Sequence, residues 1–260
     1  MGESLTHYEI KDQVAIVTID HPPMNALDVP TKEAVGQTFM ELDERRKEIR
    51  AVILNGAGEK AFAAGADIKA FLEDRSDTAR RRMVNSHRVF SIVENCEYPV
   101  IAALHGFCLG GGLELSLCCD IRYGDETVKL GFPEVNLSVF PGNGGMWRAM
   151  YHLSLGKLKE LVYTGDFVGA EEALQLGLLE KVVPKGQVMD AALELAAKIA
   201  KKGPLGVIAA KKMVNRARDL QLAQDLSLEA ELWGSLADTE DMKEGARAFL
   251  EKRKPQWQLR

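Results

Sequence analysis

Two glutamates in apolar, glycine-rich surroundings are the residues of this chain best suited to acid–base chemistry. Glu114 lies in "HGFCLGGGLELSLCCD" (105–120), directly after three glycines and among leucines. Glu134 follows Pro133, whose fixed φ suits an acid that must be held in place. Two such carboxyl groups can divide acid and base roles. Burial favours the neutral form of Glu114, whereas a nearby helix N-terminus favours its anion, and the sequence leaves that balance open.

Two glycine-containing turns stand where predicted strands end. The first is "AFAAGADI" (61–68) and the second is "HGFCLGGGLEL" (105–115), which leads into a predicted helix. Glycine lets the backbone approach a ligand closely, and a helix N-terminus presents unpaired N–H groups. One N–H from each turn could therefore converge on a developing oxyanion. The alternative is that both segments are only tight connections.

Other kinds of site find little support in the sequence. There is no GxSxG elbow, no phosphate-binding GxxxxGK[ST] loop and no HExxH pair. The histidines show no pairing typical of metal ligands, and a structural role is expected for His105. The cysteines lack zinc spacing, which predicts small buried hydrophobic residues in a reducing compartment. These cysteines are Cys96, Cys108, Cys118 and Cys119.

The first half of the chain alternates strand-like and helix-like segments. Buried strands are predicted at 14–20, 50–58 and 99–106 from their β-branched, nearly continuous apolar character. Amphipathic helices are predicted at 31–48 and 78–95. This order favours an α/β layered fold.

The second half is expected to be almost wholly helical. Helices are predicted at 169–177, 188–203, 205–218, 221–236 and 239–252. We therefore expect a core over residues 1–200 that carries the functional site. Residues 201–260 form the predicted helical region, which docks on another subunit.

Composition excludes several classes of protein. The 260 residues carry 33 basic and 38 acidic side chains, a net charge of 33 − 38 = −5, which argues against a dedicated nucleic-acid binder. Apolar stretches stay below the roughly 18 residues that a membrane span needs. The amino end lacks a signal-peptide pattern, so a cytoplasmic location is expected. RNA binding through the locally basic segment 201–219 is a remote alternative.

Several of these motifs together resemble the crotonase superfamily, and enoyl-CoA hydratase within it. The resemblance is carried by "EKAFAAGADIK" (59–69), "PVIAALHGFCLGGGLELSLCCDIRY" (99–123) and "FPEVNLSVFPGNGG" (132–145), and it extends in order over essentially the whole chain. It implies the α/β crotonase (ClpP/crotonase-like) fold of repeated ββα units. It also implies a C-terminal region that forms trimers, which usually pair into hexamers.

The resemblance implies addition of water to a trans-2-enoyl-CoA thioester. Glu114 would deprotonate water that attacks C3, and Glu134 would supply a proton to C2. The backbone N–H groups of Ala66 and Gly111 would stabilise the thioester oxygen, and that of Gly142 would help to hold the water.

The same resemblance implies that Lys69, Ala64, Phe249 and Lys252 contact coenzyme A, the last two from a neighbouring subunit. Coenzyme A is part of the substrate, so no cofactor is expected. A role in fatty-acid metabolism such as β-oxidation is expected.

The chain departs from the common hydratase pattern near the acyl pocket. Many hydratases have "PGAGGTQRL" where this chain has "PGNGGMWRAM", so Asn143, Met146 and Trp147 differ, and Phe132 replaces a common polar residue. These differences could shift the chain-length or head-group preference. A Δ3,Δ2-enoyl-CoA isomerase, which needs only the acid matching Glu134, and a specialised dehydratase or decarboxylase are the alternative functions.

Overall fold

A computed structural model describes residues 5–65, 76–217, 239–241, 244, 248 and 251–260. In this part of the chain, ten strands form two sheets. In chain order the strands are β1 (Thr6–Lys11), β2 (Val14–Ile19), β3 (Ala51–Gly56), β4 (Ala61–Ala64), β5 (Val100–Leu104), β6 (Phe107–Leu109), β7 (Ile121–Asp125), β8 (Lys129–Gly131), β9 (Phe167–Gly169) and β10 (Lys181–Val183). The larger sheet has the order β1-β2-β3-β5-β7-β10, and the smaller has the order β4-β6-β8-β9.

Helices cover the sheets and connect their strands. They are α1 (Val29–Glu44), α2 (Ser76–Glu94), α3 (Gly111–Ser116), α4 (Gly145–Ala149), α5 (Leu155–Thr164), α6 (Ala170–Leu176), α7 (Val188–Ala200) and α8 (Pro204–Ala217). Two 3₁₀ turns span Arg46–Glu48 and Pro133–Leu137. The described helices include none that is long and apolar enough to cross a membrane.

The central strands are apolar throughout because both faces of the larger sheet are covered. In β3, Val52 and Leu54 pack into the main core, whereas Ile53 faces a second cluster that includes Ala192 and Ala196 of α7. All three β3 side chains are completely buried. A strand that is buried on both faces has a continuous apolar sequence, and this sequence is the basis on which β3 was predicted.

The predicted α/β fold is confirmed, and most predicted elements lie where they were expected. The strands predicted at 14–20, 50–58 and 99–106 are β2, β3 and β5. The helix predicted at 31–48 begins earlier, at Val29, because the Asp28 side chain accepts a hydrogen bond from Thr31 N and caps it.

The expectation of an almost wholly helical second half is wrong. Strands β8, β9 and β10 have only three residues each and belong to the two sheets. Three residues are too few to show a period of two, so backbone pairing with distant neighbours defines these strands. Of the C-terminal helices, 221–236 lies outside the described residues and 239–252 is described only in part. The division at residue 200 stays a prediction.

The smaller sheet positions the two glycine-containing turns. Each turn begins with a short strand, β4 or β6, and these strands pair in parallel, with Ala64 opposite Leu109. The chain therefore leaves both strands at the same edge of the sheet. At Gly112 a Cβ would lie 1.9 Å from the carbonyl oxygen of Ala63, so only glycine allows α3 to pack directly on β4.

Candidate active site

Glu114 lies in the short helix α3 and is completely buried. Its Oε1 accepts hydrogen bonds from the backbone N–H groups of Asn143 (2.7 Å) and Gly145 (3.0 Å). Its Oε2 accepts one from Nδ2 of Asn143 (2.5 Å). All three hydrogen-bond partners of this side chain are donors. The site therefore holds a buried carboxylate that is suited to accept a proton.

The turn over residues 142–145 closes around this carboxylate. A Cβ at Gly145 would lie 2.3 Å from Cγ of Glu114, so only glycine allows this approach. Arg148 anchors the turn: its Nη1 donates to the carbonyl oxygen of Asn143 (3.1 Å), while its Nε and Nη2 pair with Glu94 (3.0 and 2.6 Å). This bidentate pair fixes the donors that surround Glu114.

Glu134 lies on the 3₁₀ turn that starts at Pro133, and it faces the N-terminus of α3. A Cβ at Gly110, the residue before α3, would lie 2.8 Å from Oε1 of Glu134. Burial raises the pKa of Glu134 to about 7, and the charge of Glu114 raises it as well. Its buried Oε2 has no hydrogen-bond partner among the described residues. Glu134 can therefore hold a proton near neutral pH and release it.

The first turn of α3 presents Gly111 beside this pair. Within the described residues its N–H has no acceptor, and the nearest neighbour of an added Cβ would be Leu27 at 3.7 Å. Ala66, the second predicted oxyanion donor, lies outside the described residues. Gly65, the residue before it, directly follows β4, the strand that pairs with β6.

Gly142 is held against α2. Nε2 of His87 donates a hydrogen bond to its carbonyl oxygen (2.7 Å), and a Cβ at this position would lie 2.8 Å from Sδ of Met83. These contacts fix the residue directly before Asn143, which in turn contacts Glu114. Its predicted role in holding water stays a prediction.

Lys32 is a buried cation that the sequence interpretation missed. Its Nζ donates to Oγ of Ser86 (2.7 Å), and its side chain is 7% exposed. Burial lowers the pKa of Lys32 to about 8 and Arg82 lowers it too, whereas the charge of Glu114 raises it. Its position three residues before Val35, on the buried face of α1, was the signal available in the sequence.

The predicted coenzyme A contacts are only partly described. Ala64 is half-buried at the end of β4, and Lys252 is exposed in the C-terminal segment. Lys69 and Phe249 lie outside the described residues. The four contacts stay predictions.

The departures from the hydratase pattern lie in different environments. Asn143 contacts Glu114, Phe132 is completely buried, Met146 packs against the main core and Trp147 is 71% exposed.

The described cysteines and histidines form no metal site. No group of three His, Cys, Asp or Glu side chains in the described part of the chain could hold a metal ion. Cys108, Cys118 and Cys119 are free and buried, as predicted, whereas Cys96 is half-buried. Burial raises the pKa of Cys108 to about 12, so this thiol is inert near neutral pH.

Fold and site together define an acid–base enzyme with a buried carboxylate pair beside the N-terminus of a glycine-rich helix. The family model "Enoyl-CoA hydratase/isomerase" matches residues 9–260. A short-chain-enoyl-CoA hydratase of Clostridium acetobutylicum is 40% identical over 95% of this chain and 94% of its own. A crotonyl-CoA hydratase of Syntrophomonas wolfei is 38% identical over 95% of each chain. The chain belongs to the enoyl-CoA hydratase/isomerase family.

A solved structure confirms the predicted crotonase fold. An enoyl-CoA hydratase from Bacillus anthracis superposes with a TM-score of 0.92 at 36% identity, over 97% of this chain and 98% of that one.

Proposed function

We propose that this protein is an enoyl-CoA hydratase that adds water reversibly to a trans-2-enoyl-CoA to give a 3-hydroxyacyl-CoA. The observation that carries the proposal is the contrast between the two carboxyl groups of one buried site. The carboxylate oxygens of Glu114 accept three hydrogen bonds and donate none, which suits a base. The pKa of Glu134 is raised to about 7, which suits an acid.

The proposed reaction transfers two protons and forms one C–O bond. Glu114 takes a proton from water as the water oxygen bonds to C3 of the enoyl group. The π electrons of the double bond move toward the thioester, whose oxygen gains negative charge near the N–H groups of Gly111 and Ala66. The proton of Glu134 then completes the bond to C2. The pair ends with its proton on Glu114, which is the state that dehydration requires.

We further propose a short-chain acyl group, because the relatives from Clostridium and Syntrophomonas are named as short-chain and crotonyl-CoA hydratases. Coenzyme A enters as part of the substrate, and the reaction needs no other cofactor. Assembly as a homotrimer or a dimer of trimers, a cytoplasmic location and a role in β-oxidation belong to the same proposal.

The isomerase alternative differs in its use of Glu114. Moving a double bond from the 3 to the 2 position needs only the acid at Glu134. The turn built around Glu114 supports hydration, because three donors fix a carboxylate that the isomerase would not need.

The proposal is tested with purified protein and enoyl-CoA thioesters of increasing chain length, followed by the loss of absorbance of the conjugated thioester. We expect rapid loss with crotonyl-CoA and slower loss with long chains. A 3-enoyl-CoA tested in parallel measures isomerase activity. Turnover of the 3-enoyl-CoA without hydration of any 2-enoyl-CoA would contradict the proposal.

A further inference from the structure

Asn143 contacts the candidate base through both its backbone and its side chain. Its N–H donates to Oε1 of Glu114 (2.7 Å), and its Nδ2 donates to Oε2 (2.5 Å). Its own carbonyl oxygen accepts from Arg148, which Glu94 anchors. The Asn143 backbone is therefore fixed from both sides, and the carboxamide reaches Glu114 from a rigid turn.

Hydrogen-bond chemistry sets the orientation of this carboxamide. An ionised carboxylate only accepts hydrogen bonds, so the amide nitrogen of Asn143 must face Glu114. Oδ1 then points away from Glu114, and it is buried without a hydrogen-bond partner among the described residues. Leaving such a buried acceptor unpaired is unfavourable. Oε2 of Glu134 is likewise buried without a hydrogen-bond partner among the described residues.

The carboxamide also borders the predicted position of the thioester. Nδ2 of Asn143 would lie 3.8 Å from a Cβ added at Gly111. Asn143 thus contacts Glu114 and lies close to Gly111, whose N–H is proposed to bind the thioester oxygen. The unpaired Oδ1 of Asn143 and the carboxylate of Glu114, which the same side chain contacts, suit a water molecule, because water carries two protons to donate.

We propose that Asn143 is a positioning residue for the hydration reaction. Nδ2 holds the carboxylate of Glu114 in a single orientation, and Oδ1 accepts a hydrogen bond from the O–H that the attacking water keeps. The other O–H bond breaks as its proton passes to Glu114, while the oxygen bonds to C3 and C2 takes the proton of Glu134. This inference rests on the proposed function.

Asn143→Ala tests the inference cleanly because the backbone N–H that also binds Glu114 is retained. We expect kcat for crotonyl-CoA to fall by about 10²-fold, as for a misplaced catalytic group, with KM changed less than about threefold. A hydrogen bond to the charged form of a base favours that form, so loss of this donor is expected to move the acid limb of the pH profile to higher pH. A purely structural role would leave that limb in place.

Asn143→Asp keeps the shape of the side chain but brings a second carboxylate to Glu114. A second carboxylate disfavours the charged form of its neighbour, so the acid limb is expected to move further than in Asn143→Ala. This isosteric variant decides the question if the alanine variant fails to fold. Asn85→Ala is the matched control, because Nδ2 of Asn85 also donates to a glutamate, Glu33 (3.2 Å), but on the exposed surface. We expect this control to match the wild type.

The outcomes separate the inference from the proposed function. Wild-type protein that hydrates no enoyl-CoA overturns both. If the wild type hydrates crotonyl-CoA and Asn143→Ala has the same kcat and the same acid limb, the role of Asn143 is overturned while the proposed function stands. A lower kcat with a shifted limb supports it.

Discussion

Glu114 and Glu134 lie near the N-terminus of α3 in opposite hydrogen-bonding environments. Glu114 accepts three hydrogen bonds of 3.0 Å or less, from Asn143 and Gly145. Oε2 of Glu134 is buried and has no partner in the described part of the chain. Donors stabilise a carboxylate, whereas burial without donors stabilises the protonated acid. Burial raises the pKa of Glu134 to about 7, so Glu134 carries a proton that it can donate up to near-neutral pH.

Glu114→Gln removes the candidate base while keeping the size of the side chain. We expect kcat for hydration to fall about 10²–10⁴-fold, the usual contribution of general base catalysis. KM should stay within a few-fold, since the base acts mainly in the transition state. Steady-state kinetics with crotonyl-CoA measure both constants. Glu171→Gln, an exposed glutamate of α6, is the control and should leave both unchanged. Full activity in Glu114→Gln would favour the isomerase.

The pH dependence of kcat/KM follows from the shared proton. Above about pH 7 Glu134 loses its proton, so kcat/KM for hydration should fall with a slope of one. The acid limb of the profile comes from protonation of the base. Dehydration uses the same pair with its one proton on Glu114, so its profile should have the same two limbs. A kcat/KM for hydration of crotonyl-CoA that does not fall above about pH 7 would contradict Glu134 as the acid.

The raised pKa of Glu134 also predicts a cost in stability. Its pKa in the folded protein, about 7, exceeds the ordinary value of 4.5, so ionising it opposes folding. The cost is absent below about pH 4, grows between pH 4.5 and 7 and is complete above. Glu134→Gln should therefore be more stable than the wild type by about 1–3 kcal/mol at pH 8 and equal to it at pH 4. Chemical denaturation at fixed protein concentration measures the difference, and equal stabilities at pH 8 would exclude the raised pKa.

Gly145→Ala tests the close approach of the turn to Glu114. The added Cβ would lie 2.3 Å from Cγ of Glu114, so the side chain or the turn must shift. We expect a loss of about 1–3 kcal/mol, as for an overpacked core, and a fall in kcat of about 10²-fold. Gly156→Ala is the matched control, because no atom lies within 4 Å of its added Cβ. That helical substitution should stabilise the protein by about 0.5–1 kcal/mol and leave kcat unchanged.

The sequence predicts the central layers of the fold because local apolar patterns indicate which of their residues are buried. Strands β2, β3 and β5 are apolar runs, and Val35, Phe39 and Leu42 form the buried face of α1. The three-residue strands were not predicted, since their pairing depends on partners far along the chain. Strand β9, for example, pairs with β8 across more than thirty residues.

The candidate site was predicted as a set of residues but not as a network. Glu114 and Glu134 stand out as acids in apolar segments, and both lie near the N-terminus of α3. The hydrogen bonds of Asn143 to Glu114 span 29 residues, so no local pattern reveals them. The raised pKa of Glu134 likewise depends on burial and on a charge brought close by folding.

The proton held by Glu134 is the feature on which the proposed mechanism depends most, and infrared difference spectroscopy measures it directly. The carbonyl band of a protonated carboxyl group is compared between pH 5 and 9 in the wild type and in Glu134→Gln. We predict a wild-type band that disappears with a midpoint near pH 7 and is absent from Glu134→Gln. A band that persists in that variant, or a wild type without such a band at pH 5, would contradict the assignment of acid and base.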